Sequence, residues 1–485
     1  MDTGKASRLH MFFLPFMAQG HMIPLVDIAK LFGIRGMKST IITTPLNAPL
    51  FSKTVERSKN SGIDIDIKIL EFPCVEVGLP NGLENVDSIT SEMGVETVNK
   101  FFKATALLQE PLEQLLQEFK AGCLVADMFY TWATDSSSKF GIPRLVFHGT
   151  SFFSLSVSMC LRQYEPHKKV VSDSEPFLVP YFPGNVMFVR KQLPEYVTHD
   201  FESSFSKLIK VSRETEGKCY GVIVNSFYEL EAAYADYYRN VLGRKAWHIG
   251  PVSLSNKAIE DKAERGKKTS VSERECLKWL NLQKPNSVIY ICFGSMARLN
   301  SAQLKEIAMG LEASGQGFIW VVRKEKNSEE EEGWLPEGFE KRMEGKGLII
   351  RGWAPQVLIL EHQAIGGFVT HCGWNSALEG VCAGVPMVTW PFSGEQFYNE
   401  KLVTQVLEIG VAVGVQKSVK RVGDFVRREA LERAVKEIVV GERAYEMRSR
   451  AKAIGEMARK ATEKGGSSYS NLNALIEDLK SLLCR

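Results

Sequence analysis

Apolar and polar positions follow two rhythms along this chain. Short apolar runs closed by turn residues alternate with longer segments whose apolar positions recur at helical spacing. Residues 10–15 (HMFFLP) read as a first strand, 16–20 as the loop beyond it, and a helix is predicted from Met22 through Phe32 with Pro24 in its first turn. Residues 39–44 form a second predicted strand from their β-branched content, and 63–72 a third from their alternation. Further strands are expected at 124–127, 144–148 and 222–225, and 247–251 closes the series. After a polar, charged stretch at 253–274, a second series begins at 288–293 and continues at 317–322, 348–352, 368–370 and 387–390. Strands alternating with helices predict parallel, doubly wound sheets, with ligands outside the carboxyl ends of the strands. The expected architecture is α/β, with two Rossmann-like halves facing a cleft. They comprise 1–252 and 275–460, joined by a linker at 253–274 and followed by a tail at 461–485.

Polar residues of the second series crowd the connections between 353 and 396. Residues 366–370 (GGFVT) read as a buried strand, 371–373 as a tight turn, and Asn375-Ser376 as the start of a helix running to about Ala383. A strand end, a glycine turn and a helix N-terminus together favour an anion such as phosphate. His371 stands there beside the amides of Trp374, Asn375 and Ser376, and Gly294-Ser295 follows another strand in the same manner. Glu379 shares a helix face with Ser376 and suits a ribose diol, while Trp353 offers a flat surface to a nucleobase. Glu395 and Gln396 bring two hydroxyl-binding side chains after the next strand. Core packing is the alternative role for Trp353, Trp374 and Trp390, and a favourable helix-start charge the alternative for Glu379. In the first series His21, Asp127 and Thr150 fall at or just beyond strand ends. His21 precedes a helix whose dipole disfavours imidazolium and so suits a neutral base, with Asp127 the candidate to orient it. Capping or packing is the alternative for a lone histidine in that place.

Residues 353–396, with their HCGWNS core and closing acidic-Gln pair, resemble the signature box of plant family 1 UDP-dependent glycosyltransferases. The resemblance extends from GHMIPLVDIAK near the start to GGSSYSNLNALIEDL near the end, and PLVDIAKLF and TIITTPLNAP resemble the branch that glycosylates flavonoids, triterpenoids and related phenolics. It implies the two-domain GT-B type fold, with the acceptor bound by 1–252, the UDP-sugar by 275–460, and the last helix packing back on the first domain. It implies an inverting transfer of glucose from UDP-glucose to an acceptor hydroxyl, with His21 as base and Asp127 as its supporting acid. The diphosphate would meet His371, Asn375, Ser376 and Ser295, and the sugar Thr150, Trp374, Glu395 and Gln396. Ala354 and Gln356 belong to the same UDP-sugar-binding set as Trp353 and Glu379. No metal and no cofactor are implied, UDP-glucose being a co-substrate. Gln396 matches a preference for glucose, whereas Glu395 stands where Asp is commoner. Galactose, xylose or glucuronate donors, or a binding protein without turnover, are the alternatives within the fold, and the presence of both His21 and Asp127 opposes the last.

Bulk properties narrow the classes further. The chain of 485 residues is too long for one ordinary core, and 60 Lys+Arg against 57 Asp+Glu gives a net +3 that implies no nucleic-acid partner. The basic clusters at 265–268 and 417–428 read as solvated surface. Nine cysteines without CxxC spacing, and no apolar run near the ~20 residues that span a bilayer, suggest a cytoplasmic protein with reduced thiols, for which a monomer is expected. A nicotinamide-dependent oxidoreductase would need a GxGxxG turn after an early strand, which 16–21 (FMAQGH) lacks. The acidic run 327–333 (NSEEEEG) reads as a mobile surface loop. Segments 77–110 and 152–204, rich in Phe, Leu, Met and Val, are expected to line an apolar acceptor pocket, with ordinary core as their alternative.

Overall fold

The computed structural model describes residues 9–90, 92–198, 203–322, 333–420 and 422–483, so positions 327–332 of the acidic run lie outside the described residues. Two parallel sheets carry the chain. Across the seven-stranded sheet the order is Ile65–Ile69, Lys38–Thr43, His10–Leu14, Cys123–Asp127, Arg144–Phe147, Gly221–Val224 and Ala246–His248. Across the six-stranded sheet it is Gly347–Arg351, Gly317–Val322, Val288–Cys292, Ile365–Thr370, Met387–Thr389 and Gly410–Ala412. In each sheet the chain starts near the middle, winds to one edge, and returns to wind to the other. The first sheet reverses between His10–Leu14 and Cys123–Asp127, and the second between Val288–Cys292 and Ile365–Thr370. Crevices at such reversals are where doubly wound sheets bind ligands.

Burial explains why these runs are strands. All five residues of His10–Leu14 and of Cys123–Asp127 are buried, as expected of central strands covered on both faces. The predicted strand at 63–72 shrinks to Ile65–Ile69 because it is the sheet edge, where only Ile65 is fully buried and Ile69 is exposed. The helix predicted from Met22 begins three residues earlier and spans Gln19–Ile34. The carbonyl of Ala18 accepts from the amides of His21 and Met22, so His21 lies within the first turn rather than ahead of it. Apolar periodicity starts only at Met22, which is why the sequence hid that turn.

The stretch 253–274 is not a solvated tether. It contains the helix Ile259–Ala263 and is pinned to the first domain: Asp261 pairs with Arg57 (2.9 Å) and Lys30 (3.3 Å), and Glu264 pairs with Lys53 and Arg57. Arg265, expected on the surface, is only 11% exposed, because two carboxylates from different domains draw it inward. At the other end of the chain, Ser467–Leu483 presents Leu472, Leu475, Ile476 and Leu479 to the first sheet, all nearly fully buried beside Ile223 and Trp247. That spacing is one helix face, and each side chain contributes about 1.5–3 kcal/mol of burial. A single apolar cluster passes from Phe152 and Tyr238 of the first domain to Trp374, Leu378 and Tyr398 of the second, so the two halves are packed together at one end of the cleft. Among the described residues, no helix is long and apolar enough to cross a membrane.

Candidate active site

Each chain reversal carries a histidine beside it. At the first, Asp127 ends its strand with no exposure and meets His21 Nδ1 at 2.6 Å. Its other oxygen accepts from the amide of Phe129 at 3.1 Å, and Arg144 donates to its backbone carbonyl. An acceptor-only carboxylate on Nδ1 keeps the imidazole proton there, which leaves Nε2 with a free lone pair. The His21 side chain retains 24% exposure. Burial works against its charge, but Asp127, aided by Glu395 and Asp87, outweighs burial and raises the pKa above the ordinary 6.5. The expectation that the helix dipole would hold this ring below its usual value is therefore corrected: neighbouring carboxylates dominate.

An aromatic wall surrounds the ring. Phe16 and Phe129 lie 5.7 and 5.6 Å from His21 between centroids, Phe102 stacks on Phe16, and Phe205 extends the wall to Tyr196. Phe102 and Tyr196 come from the two segments expected to line an acceptor pocket. Phe152 and Phe153 from the same expectation are core residues, at 1% and no exposure. Gly149, with φ of +70°, brings the backbone close: a Cβ there would stand 3.6 Å from His21 Nδ1. Beyond it Thr150 holds a buried hydroxyl with no protein partner, before Ser151 caps the helix Phe152–Tyr164.

At the second reversal His371 directly follows its strand and sits between Gly294 and Gly373, at either of which a Cβ would be driven into the ring. Its Nδ1 is buried without a partner, and burial pushes the pKa down to about 4, so the ring is neutral at physiological pH. The ten-residue helix Trp374–Ala383 starts at Gly373 with no side-chain cap, which leaves first-turn amides for an anion. Asn375 donates across the cleft to the carbonyl of Gly20 at 2.6 Å, and its own buried oxygen has no partner. Ser295 lies in the turn after Val288–Cys292, half-buried.

Outward from this turn, Gln356 Nε2 joins Ser376 Oγ (3.1 Å) and Glu379 Oε2 (2.8 Å), while Ala354 and Trp353 line the same side. Gln396 has committed its oxygen to the amides of Phe392 and Ser393, leaving its amide nitrogen for a ligand. Glu395 sits half-buried beside it, and burial raises its pKa. The Trp374 indole is 2% exposed and donates to the carbonyl of Asn225 at 2.8 Å, so it joins the two domains. Sequence reasoning also missed Phe16, Phe129, Gln19 and Arg265. The phenylalanines follow strand ends, a legible signal. Gln19 is 2% exposed with both amide atoms unpartnered, and Arg265 had no signal beyond a charge in a polar run.

Residues 239–448 match the family described as UDP-glucoronosyl and UDP-glucosyl transferase. Nearly the whole chain is similar to UDP-glucose flavonoid 3-O-glucosyltransferase 7 of Fragaria ananassa, at 58% identity over 99% of this chain and 98% of the relative. Scopoletin glucosyltransferase of Nicotiana tabacum is 56% identical over 98% of each chain. A solved Glycyrrhiza uralensis structure, complexed with glycyrrhetinic acid 3-O-monoglucuronide, shares the fold at a TM-score of 0.92 and 40% identity, covering 99% of this chain and 97% of that one.

Proposed function

The chain belongs to the family of UDP-dependent glycosyltransferases, and from that premise we propose that it transfers glucose from UDP-glucose to a hydroxyl of a flavonoid or related plant phenolic with inversion. The observation that carries this reading is the His21–Asp127 pair, 2.6 Å apart, at the chain reversal that faces the turn of His371 across the cleft. His21 Nε2 takes the proton from the acceptor hydroxyl as that oxygen attacks the anomeric carbon from the side opposite UDP. The bond to the diphosphate breaks with its electron pair, and the new bond has β configuration. Asp127 holds the ring and offsets the imidazolium charge that forms.

Negative charge grows on the departing diphosphate, so donors aimed there act more on the transition state than on the bound substrate. The first-turn amides, Asn375, Ser376, Ser295 and neutral His371 supply such donors from the chain itself. We therefore expect turnover to persist in excess EDTA. The aromatic wall of Phe16, Phe102, Phe129, Phe205 and Tyr196 favours a flat aromatic acceptor over a polar one. The names of the relatives, which include flavonoid, scopoletin and anthocyanin glucosyltransferases, support the same class. Free thiols at all eight described cysteines accord with a cytoplasmic location. The test is glucoside formation from UDP-glucose with a panel of flavonoids, coumarins and triterpenoids. Product restricted to triterpenoids would overturn the acceptor reading, and product only from another UDP-sugar would overturn the donor reading.

A further inference from the structure

The linker arrives at the nucleoside side of the cleft and grips two of its residues at once. The carbonyl of Arg265 accepts from Trp353 Nε1 at 3.1 Å, and Arg265 Nη1 donates to Glu379 Oε1 at 2.7 Å. The other arm of the same guanidinium, Nη2, donates to Asp27 Oδ2 at 2.6 Å, and Asp27 lies on the helix Gln19–Ile34 that also carries His21. Asp27 is itself held by Asn256, and Asn256 by Lys30, so this anchor is a buried network. An indole N–H lies in the ring plane, so the Arg265 carbonyl meets the edge of Trp353 and not a face. Gly266 follows at φ of +89°, where a Cβ would come within 2.8 Å of Trp353 Cζ2 and 2.9 Å of both Gln19 Oε1 and Ile23 Cδ1. Only glycine lets the linker pass between the domains there. The space left beside it, lined by Gln19, Ile23 and Asp27, is about 20 Å³, room for about one water.

We propose that Arg265 is the positioning residue of the uridine site, fixing the Trp353 ring and the Glu379 carboxylate and tying both to the helix that bears His21. Glu379 has its two oxygens held by Arg265 and Gln356, so its remaining lone pairs are aimed rather than swinging. Burial opposes the Arg265 charge, and Asp27 and Glu379 outweigh it, so the clamp stays charged at any working pH. The inference rests on the donor-site reading above and extends it to a residue that touches no reacting atom.

The test compares UDP with inorganic pyrophosphate, which reaches only the diphosphate donors, as inhibitors of Arg265→Ala, Arg265→Lys and wild type. The Ala variant should bind UDP tenfold or more weakly, the scale of a lost charge-assisted hydrogen bond at a buried carboxylate, with the pyrophosphate constant unchanged. Lysine cannot fork to two carboxylates and should recover only part of the loss. Gly266→Ala provides an independent arm, moving the carbonyl off Trp353 and weakening UDP in the same sense. Equal losses for UDP and pyrophosphate would mean general disorder of the cleft and would overturn the proposal. Unchanged or tighter UDP binding would overturn it too, tighter binding marking the linker as an obstruction. Wild-type protein that binds pyrophosphate but shows no preference for UDP would instead defeat the donor-site reading beneath it.

Discussion

His21 and His371 each stand beside the reversal of their own sheet, yet their surroundings push them in opposite directions. His21 lies in the first turn of the helix after His10–Leu14, the strand that opens its sheet, and His371 directly follows Ile365–Thr370, the strand on which the chain returns. His21 gains a buried carboxylate at 2.6 Å, and its pKa rises; His371 gains two glycines and no charge, and its pKa falls to about 4. The fold supplies the place, and the neighbour decides the chemistry: a ring that accepts a proton on one side, and a neutral hydrogen-bonding ring on the other.

Removing the first ring should have the largest effect. His21→Ala is expected to lower kcat by about 10²–10⁴, the range for a lost general base, with UDP binding unchanged. His371→Ala should cost about 10²–10³ in kcat, the range for one lost donor at a developing oxyanion, and should raise the inhibition constant of UDP as well. If His371→Ala spared UDP binding while His21→Ala weakened it, the assigned sides of the cleft would be reversed.

The pH profile sharpens the contrast with a smaller effect. The proposed base must be unprotonated, so the rate falls as pH drops through the His21 pKa, and that limb lies above 6.5 because the carboxylates outweigh burial. Asp127→Asn removes the main opposing charge, so the limb should move to lower pH while the plateau rate falls through loss of orientation. His371 is already neutral across that range, so His371→Gln should leave the position of the limb where it was. A limb unmoved by Asp127→Asn would assign it to another group.

The two sides also differ in how far the sequence disclosed them. Most strands, the order of the two series, and the glycine turn with its helix start follow from apolar runs and turn chemistry, with boundaries within a few residues of the observed ones, whereas the three-residue strands Pro176–Leu178, Met187–Val189 and Gly410–Ala412 were too short to read. Contacts that join distant segments left no such trace. Nothing in a polar run shows that Arg265 bridges Asp27 and Glu379, because that depends on where two domains meet. The charge of His21 was misjudged for a related reason: the dipole of its helix is local and legible, whereas the closeness of Asp127, with Glu395 and Asp87 adding to it, is set only by the fold.

Trp374 separates a local reading from a tertiary one with the smallest expected effect. The family resemblance put it among the residues that hold the sugar, while the indole donates to the carbonyl of Asn225 in the other domain. Trp374→Phe keeps most of the apolar ring and deletes that donor, leaving a buried carbonyl unmet. The expected cost is about 1–3 kcal/mol of stability, seen as a lower unfolding midpoint. Because the backbone amides at the helix start are untouched, the KM for UDP-glucose should stay within about twofold of wild type, a shift worth ~0.4 kcal/mol. An increase of tenfold or more with unchanged stability would place the indole against the sugar and show that its contact with Asn225 gives way when the donor binds.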